Sequence, residues 1–300
     1  AEEWFRYFYK SGPENSIDFE TEKILKSVTI ENLTEKVIDS IRNARPENNI
    51  RLKFQPFYKP PFYEIKIDSA SDYSIIRLKW FEKTPFMEYK SFMDSAVSEM
   101  NRKGIKNLII DLRWNIGGPR EFPIYLLSKL MENPFRYCES LIANESVKEA
   151  KIPFDSAKVF VADVNKQFKV ISNARGLGLQ IPAEEIFKGK VYLIVDGQSN
   201  SSSAQIASLI HHYKRGIIIG EEPGGLYDGG TGEHHHYCKL GNSKIKVQIP
   251  RYRIVLNVSH RKFKGRGVRP DYSVYPEISD LVKGEDTILR FAVDLITKGK

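Results

Sequence analysis

The chain has 300 residues, 41% hydrophobic and 28% charged, with 46 lysines and arginines against 38 aspartates and glutamates, a formal charge of +8. Such a balance excludes a disordered tail and a small scaffold that needs disulfides or metals to fold. No apolar run reaches the roughly eighteen residues that a membrane-spanning helix needs, and the acidic, aromatic start Ala1-Glu2-Glu3-Trp4 is unlike a signal peptide.

The basic residues are scattered, without an RNA-binding box or zinc-finger spacing, so no nucleic-acid partner is expected. Two cysteines, Cys138 and Cys238, cannot build a framework; whether they pair stays open, and the sequence does not decide the redox compartment. No internal repeat is visible.

In chain order, aromatic-rich strands are predicted at Trp4 to Tyr9, Ile17 to Ile30, Ile50 to Phe57, Tyr63 to Ile67 and Tyr73 to Trp80, with one short helix near Leu33 to Ile41. Pro60-Pro61 and Ser69-Ala70-Ser71 mark turns. Residues 1–72 therefore read as a strand-rich N-terminal portion and 73–300 as a second, catalytic-type core. From Phe86 the pattern changes. Phe86, Tyr89, Phe92, Met93, Ala96, Val97 and Met100 recur at helical spacing and form one buried face. Leu108-Ile109-Ile110 reads as a buried strand, followed by a Gly-Gly turn and a helix around Ile124 to Met131. The same order returns with Val191 to Val195, a serine-rich turn, and a helix carrying Ile206, Leu209 and Ile210. Ile217-Ile218-Ile219 then runs into Gly220-Glu221-Glu222-Pro223-Gly224-Gly225. Strand, turn and helix in alternation argue for an α/β core. Residues 233 to 256 read as strands turning at Gly241-Asn242, and Thr287 to Thr297 as a final helix capped by Asp286.

Two turns carry candidate chemistry. Asp111-Leu112-Arg113-Trp114-Asn115-Ile116-Gly117-Gly118 leaves the end of a buried strand, where tandem glycines let a substrate approach backbone N–H groups that can hold an oxyanion. The same turn can equally be a tight connection that needs only positive φ. Gln198-Ser199-Asn200-Ser201-Ser202-Ser203-Ala204-Gln205 enters a helix after another buried strand, a place where a serine hydroxyl can act as nucleophile. Its structural reading is a capping box, Ser202-x-x-Gln205, which satisfies helix-start donors without catalysis.

Taken together, Asp-Leu-Arg-x-Asn-x-Gly-Gly, the Ser-Ser-Ala-Gln helix start, Ile-Ile-Ile-Gly-Glu-Glu-Pro-Gly-Gly and Gly-Arg-Gly-Val-Arg-Pro-Asp, in this order, resemble the C-terminal-processing (tail-specific) serine peptidases, relatives of the tricorn core and of the interphotoreceptor retinoid-binding protein. The resemblance covers about residues 73 to 297. It is nearest to the secreted branch common in Bacteroidetes-type bacteria, whose Leu-Pro-Asn-Ser-like hairpin corresponds to Leu240-Gly241-Asn242-Ser243 here. It implies a crotonase-like spiral of ββα units, Ser202 as nucleophile, and an oxyanion hole from Ser203 N–H with Gly117 or Gly118 N–H. It further implies a polypeptide substrate bound as an added strand, no cofactor, and an extracytoplasmic bacterial setting, with the oligomeric state open.

The chain departs from that pattern at the base, without which a serine hydroxyl is a poor nucleophile. The lysine used in one branch is missing from Gly225-Leu226-Tyr227-Asp228-Gly229; the histidine of the other branch is missing too, since no His precedes His211, and Lys264 stands near the place of its glutamate. Ala1 reads as a start inside a longer protein, so the base is expected in a preceding segment; the alternative is a catalytically silent member that binds peptide or an apolar ligand in the same cleft. His234, His236 and Cys238 alternate along a strand, a set that can hold zinc or supply a substitute base, or be ordinary strand residues. No metal is expected, and His234 and His236 are the weak base candidates. His211 and His212 lie about 14 Å of helical rise beyond Ser202 and are not expected to serve it. Glu221, Glu222 and Asp228 read as solvated loop carboxylates, and Lys262, Lys264, Arg266 and Arg269 as a basic loop that can meet a carboxylate.

Overall fold

The computed structural model describes residues 14–21, 24–31, 61–81, 83–144, 167–170, 175–232, 235–250, 252–259 and 262–299. The strands predicted at Trp4 to Tyr9 and Ile50 to Phe57, and the helix near Leu33 to Ile41, lie outside them. The chain divides into two units, residues 1–55 and 56–300.

In the first unit β1 (Glu14–Thr21) pairs antiparallel with β2 (Ile24–Glu31), Thr21 opposite Ile24. The single strand predicted over Ile17 to Ile30 is thus a hairpin. The two residues between the strands in sequence, Glu22 and Lys23, include none of the Gly, Asn or Pro that marks most hairpins.

The second unit begins with β3 (Tyr63–Asp68), β4 (Tyr73–Leu78), α1 (Phe86–Arg102), β5 (Asn107–Asp111) and α2 (Glu121–Ser128). It continues with β6 (Phe135–Arg136), β7 (Cys138–Asn144), β8 (Gln167–Val170), β9 (Leu179–Gln180), β10 (Lys190–Val195), α3 (Ser202–His212) and β11 (Ile217–Gly220). The last part holds β12 (Gly229–Thr231), β13 (His235–Lys239), β14 (Lys246–Pro250), β15 (Tyr252–Leu256), β16 (Tyr272–Ser273), α4 (Ile278–Lys283) and α5 (Thr287–Thr297). Six strands form one sheet in the order β16-β11-β10-β5-β4-β3, parallel except for the β3/β4 hairpin. A second sheet, β12-β15-β7-β8, is antiparallel throughout. The outcome is the mixed α/β architecture expected from the alternating pattern.

Both faces of the large sheet are covered, which is why its central strands carry unbroken apolar runs, Leu108–Ile110 in β5 and Val191–Val195 in β10. Leu108, Ile110, Val191, Leu193 and Val195 face the larger core with the Tyr89–Met100 stripe of α1, with α2 and with Ile206, Leu209 and Ile210 of α3. Ile109, Tyr192, Ile194 and Ile219 point the other way, onto Ile288, Ala292 and Leu295 of α5. Helix α5 starts where predicted: Asp286 Oδ1 accepts from Leu289 N–H at 3.0 Å. Because β5 and β10 are neighbouring parallel strands, Ile194 lying opposite Asp111, their C-terminal ends emerge side by side. The two candidate turns leave from those ends.

Candidate active site

The first turn is anchored by charge. The Asp111 carboxylate, fully buried, accepts from Arg77 Nε at 3.0 Å, from Arg113 Nε and Nη2 at 2.9 and 2.7 Å, and from Arg113 N–H at 3.1 Å. Arg113 also reaches the helix cap, donating to Asp286 at 2.8 and 2.6 Å. Burial alone would push the Asp111 carboxyl up, but the charges and hydrogen bonds of Arg113 and then Arg77 outweigh it and hold the group down at about 2. A depressed folded-state value means that this stabilisation is complete above the unfolded pKa near 4 and disappears as pH falls through about 2. Urea midpoints of wild type and Asp111→Asn, taken from pH 6 to pH 2.5, are expected to converge as pH falls; the pH-dependent part of the gap is about 2 to 3 kcal/mol.

The two turns are tied by two side-chain contacts, Trp114 N–H to Asp196 and Ser199 Oγ to Leu112 O, and the second is braced by two more of its own. Asp196 Oδ1 accepts from Trp114 N–H (3.1 Å), Gln198 N–H (3.0 Å) and Ser199 N–H (2.9 Å), while Ser199 Oγ donates to Leu112 O at 2.8 Å. Burial raises the Asp196 carboxyl, and the hydrogen bonds from Trp114 and Ser199 oppose that rise. Asn115 is fully buried and acts in three directions: Nδ2 donates to Leu78 O (2.8 Å), Oδ1 accepts from Gly117 N–H (2.9 Å), and its backbone O accepts from Asn200 N–H (3.1 Å). Gly117, at φ +97°, lies directly against the second turn. A Cβ there would sit 2.7 Å from Ser201 Cβ and 2.9 Å from both Asn200 O and Ser202 N.

Among the three adjacent serines the structure distinguishes sharply. Helix α3 begins at Ser202, and Ser201 is its N-cap, at φ 51° and ψ −124°, with no side-chain capping bond. The capping box read from Ser202 and Gln205 is therefore not formed; Gln205 Oε1 instead accepts from Tyr137 Oη at 2.5 Å. Ser202 is 1% exposed, and its Oγ, like that of Ser203, is buried without a hydrogen-bond partner among the described residues. Ser201 is exposed and lines a cavity of about 290 Å³ with Asn200, Gln205, Leu226, Thr231, Arg253 and glycines between 225 and 232. Gly232 borders it closely: a Cβ there would lie 3.8 Å from Ser201 Oγ.

Of the N–H groups expected to form an oxyanion hole, two are engaged elsewhere. Ser203 N–H donates to Asn200 O at 3.0 Å and Gly117 N–H to Asn115 Oδ1. Ser202 N–H, at the first helical position, has no carbonyl one turn back to bond. Gly118 follows Gly117 in the turn and is half-buried.

The remaining polar groups sort by position. His211 and His212 stand at the far end of α3 and line a separate cavity with Tyr227, Lys262 and Asp271; His211 Nδ1 is 2.9 Å from Tyr227 Oη. Burial depresses both imidazoles, and Lys262 depresses His211 further. Glu222 pairs with Arg266 and accepts from Gly267 N–H at 2.8 Å, and Asp228 pairs with Arg253 at 2.9 Å, so these carboxylates and Arg266 brace loops. Glu221 is partly buried, which raises its carboxyl. His234 and the side chain of His236 lie outside the described residues; Cys238 sits on β13 opposite Val247, and both cysteines are free thiols. No group of three or more metal-type ligands occurs among the described residues, and no described helix is long and apolar enough to cross a membrane.

Sequence reading missed the outward placement of Ser201, the Asn115 clasp, the Asp196–Ser199 tie and Arg253. A strained φ on a serine leaves no trace in residue type, whereas the Asn in Asp-Leu-Arg-x-Asn-x-Gly-Gly was visible as part of the motif but without a partner.

Comparison with known proteins gives the same fold. The chain is similar to the structure of a provisionally assigned peptidase of Parabacteroides merdae ATCC 43184, with 16% identity, coverage of 82% of this chain and 68% of that one, and a TM-score of 0.55. It is similar to mature CPAF complexed with lactacystin, with 12% identity, coverage of 97% and 69%, and a TM-score of 0.58. The photosystem II D1 C-terminal processing protease is a looser match, at 14% identity and a TM-score of 0.48, with 91% of this chain spanning 56% of that one. No curated protein matches. The sequence model of peptidase family S41 matches residues 72–274, more than half of the chain. The chain belongs to peptidase family S41.

Proposed function

We propose that this chain is a serine-type peptidase of the C-terminal-processing kind in which Ser201, rather than Ser202, is the nucleophile. The observation that carries this reading is the pair of neighbouring hydroxyls: Ser202 Oγ is buried in the helix start, whereas Ser201 projects into the cavity from a backbone conformation that L-residues adopt only under constraint. A serine on a sharp strand-to-helix turn is the arrangement that exposes a nucleophile and places the next residue's N–H beside it.

In this reading Ser201 Oγ attacks the scissile carbonyl carbon, and the oxyanion accepts from Ser202 N–H and Gly118 N–H. The C–N bond then breaks, the leaving nitrogen takes the proton that Ser201 lost, and water hydrolyses the resulting ester. The proton needs a carrier, and the described lining of the cavity contains no His, Lys, Asp or Glu. Of the two histidines expected as substitutes, His234 follows Gly232 by two positions, and Gly232 borders Ser201 Oγ. His234→Ala is expected to lower the rate of fluorophosphonate labelling at Ser201 by about 100-fold or more, the scale of a general base. An unchanged rate would place the base elsewhere.

The same gap favours a second reading, a silent family member that binds peptide in this cavity. The two part on one experiment: labelling of wild type at Ser201, identified by peptide mapping, supports the peptidase. Peptide binding without labelling or turnover supports the silent binder.

A further inference from the structure

We propose that Arg253 makes the Ser201 cavity selective for a carboxylate, carried either by an acidic side chain near the scissile bond or by the free C-terminus of a peptide. The inference deepens the peptidase reading by naming what its cavity selects, and it rests on that reading for the reaction alone. The cavity wall is mostly glycine backbone with Leu226, Thr231, Asn200 and Gln205, and Arg253 is the one charged side chain among its described lining residues. Position follows from register. Strand β12 forms one edge of its sheet, and Thr231 on it lies opposite Arg253 on β15, so the guanidinium belongs to the same wall as the strand bordering Ser201.

The guanidinium is held but not consumed. Its Nη2 donates to Asp228 Oδ2 at 2.9 Å, and the side chain remains 51% exposed. A partly exposed pair of this kind, with one side-chain partner among the described residues, adds little stability and leaves most of the five N–H donors of the fork for another acceptor. Arginine is suited to that acceptor being a carboxylate, because its planar fork matches two oxygens at once, whereas lysine offers a point charge. The glycines around it supply backbone groups rather than competing side chains, leaving the charge as the cavity's principal means of discrimination.

The test uses the full chain and two measurements. Binding of fluorescent peptides to Ser201→Ala is read by anisotropy, with one set carrying Asp or Glu, or Asn or Gln, inside peptides blocked at both ends, and another set neutral except for a free or an amidated C-terminus. Wild type is separately labelled with a fluorophosphonate. The expected result is about 10-fold or more tighter binding for the carboxylate member of one set, the scale of a charge-assisted hydrogen bond. The preference is lost in Arg253→Gln and partly kept in Arg253→Lys, with unchanged thermal melting confirming that the variants fold. The set that shows it identifies the source of the carboxylate. Equal binding of carboxylate and neutral members, no binding of either, or a preference that survives Arg253→Gln overturns the inference, whatever the labelling. A carboxylate preference with no labelling of wild type overturns the peptidase reading and leaves the carboxylate site standing.

Discussion

Ser201→Ala is expected to abolish fluorophosphonate labelling and to lower any peptide hydrolysis on the order of 10³-fold or more, while Ser202→Ala leaves both within a few-fold of wild type. The contrast is physical. Ser201 Oγ faces the cavity, and its loss removes the proposed attacking atom. Ser202 Oγ is a buried hydroxyl with no partner among the described residues, so replacing it by hydrogen takes away an unsatisfied polar atom and leaves intact the Ser202 N–H of the proposed oxyanion hole. Stability of Ser202→Ala is expected within about 1 kcal/mol of wild type by urea denaturation, since deleting an unpaired hydroxyl costs no hydrogen bond. Labelling that persists in Ser201→Ala and vanishes in Ser202→Ala would move the nucleophile by one residue and reject the geometry argued above.

Gly117→Ala is expected to damage both the reaction and the stability of the chain. The residue sits at φ +97°, where an L side chain is strained, and the new Cβ would meet Ser201 Cβ, Asn200 O and Ser202 N at 2.7 to 2.9 Å. Two of those three atoms are backbone of the second turn and cannot rotate away. The turn must shift, and with it both the proposed nucleophile, Ser201, and the Ser202 N–H beside it. A displacement near 1 Å costs about 100-fold in rate, and the strained conformation adds roughly 1–3 kcal/mol of destabilisation. Labelling rate and urea midpoint measured on the same sample check both. A variant with wild-type labelling would show that the two turns do not touch in solution as described.

The architecture was legible because its signals are redundant. The apolar runs at Leu108–Ile110, Val191–Val195 and Ile217–Ile219 are buried on both faces, so every residue in them carries the message, and the Phe86–Met100 stripe repeats it at helical period over a helix that runs from Phe86 to Arg102. Asp286 declares the last helix by chemistry as well as position. The elements that escaped lack such redundancy. The residues between β1 and β2 in sequence include no Gly, Asn or Pro, β6, β9 and β16 are two residues long, and β7 mixes polar residues into its run on a smaller sheet. The candidate site was half legible. Its two turns were found from motif order, yet which of three serines faces outward depends on one backbone dihedral, and Arg253 joins the wall only through strand register, with no signal in its neighbours.

The bond from Arg113 to Asp286 crosses 173 residues of sequence to join the first turn to the cap of the last helix. During synthesis the Asp111–Arg113 turn emerges early, but its outer charge partner does not exist until residue 286 has left the ribosome. The order matters: until Asp286 is made, Arg113 has Asp111 but not the carboxylate that ties the turn to the last helix, so the frame around the first turn closes 173 residues after the turn itself.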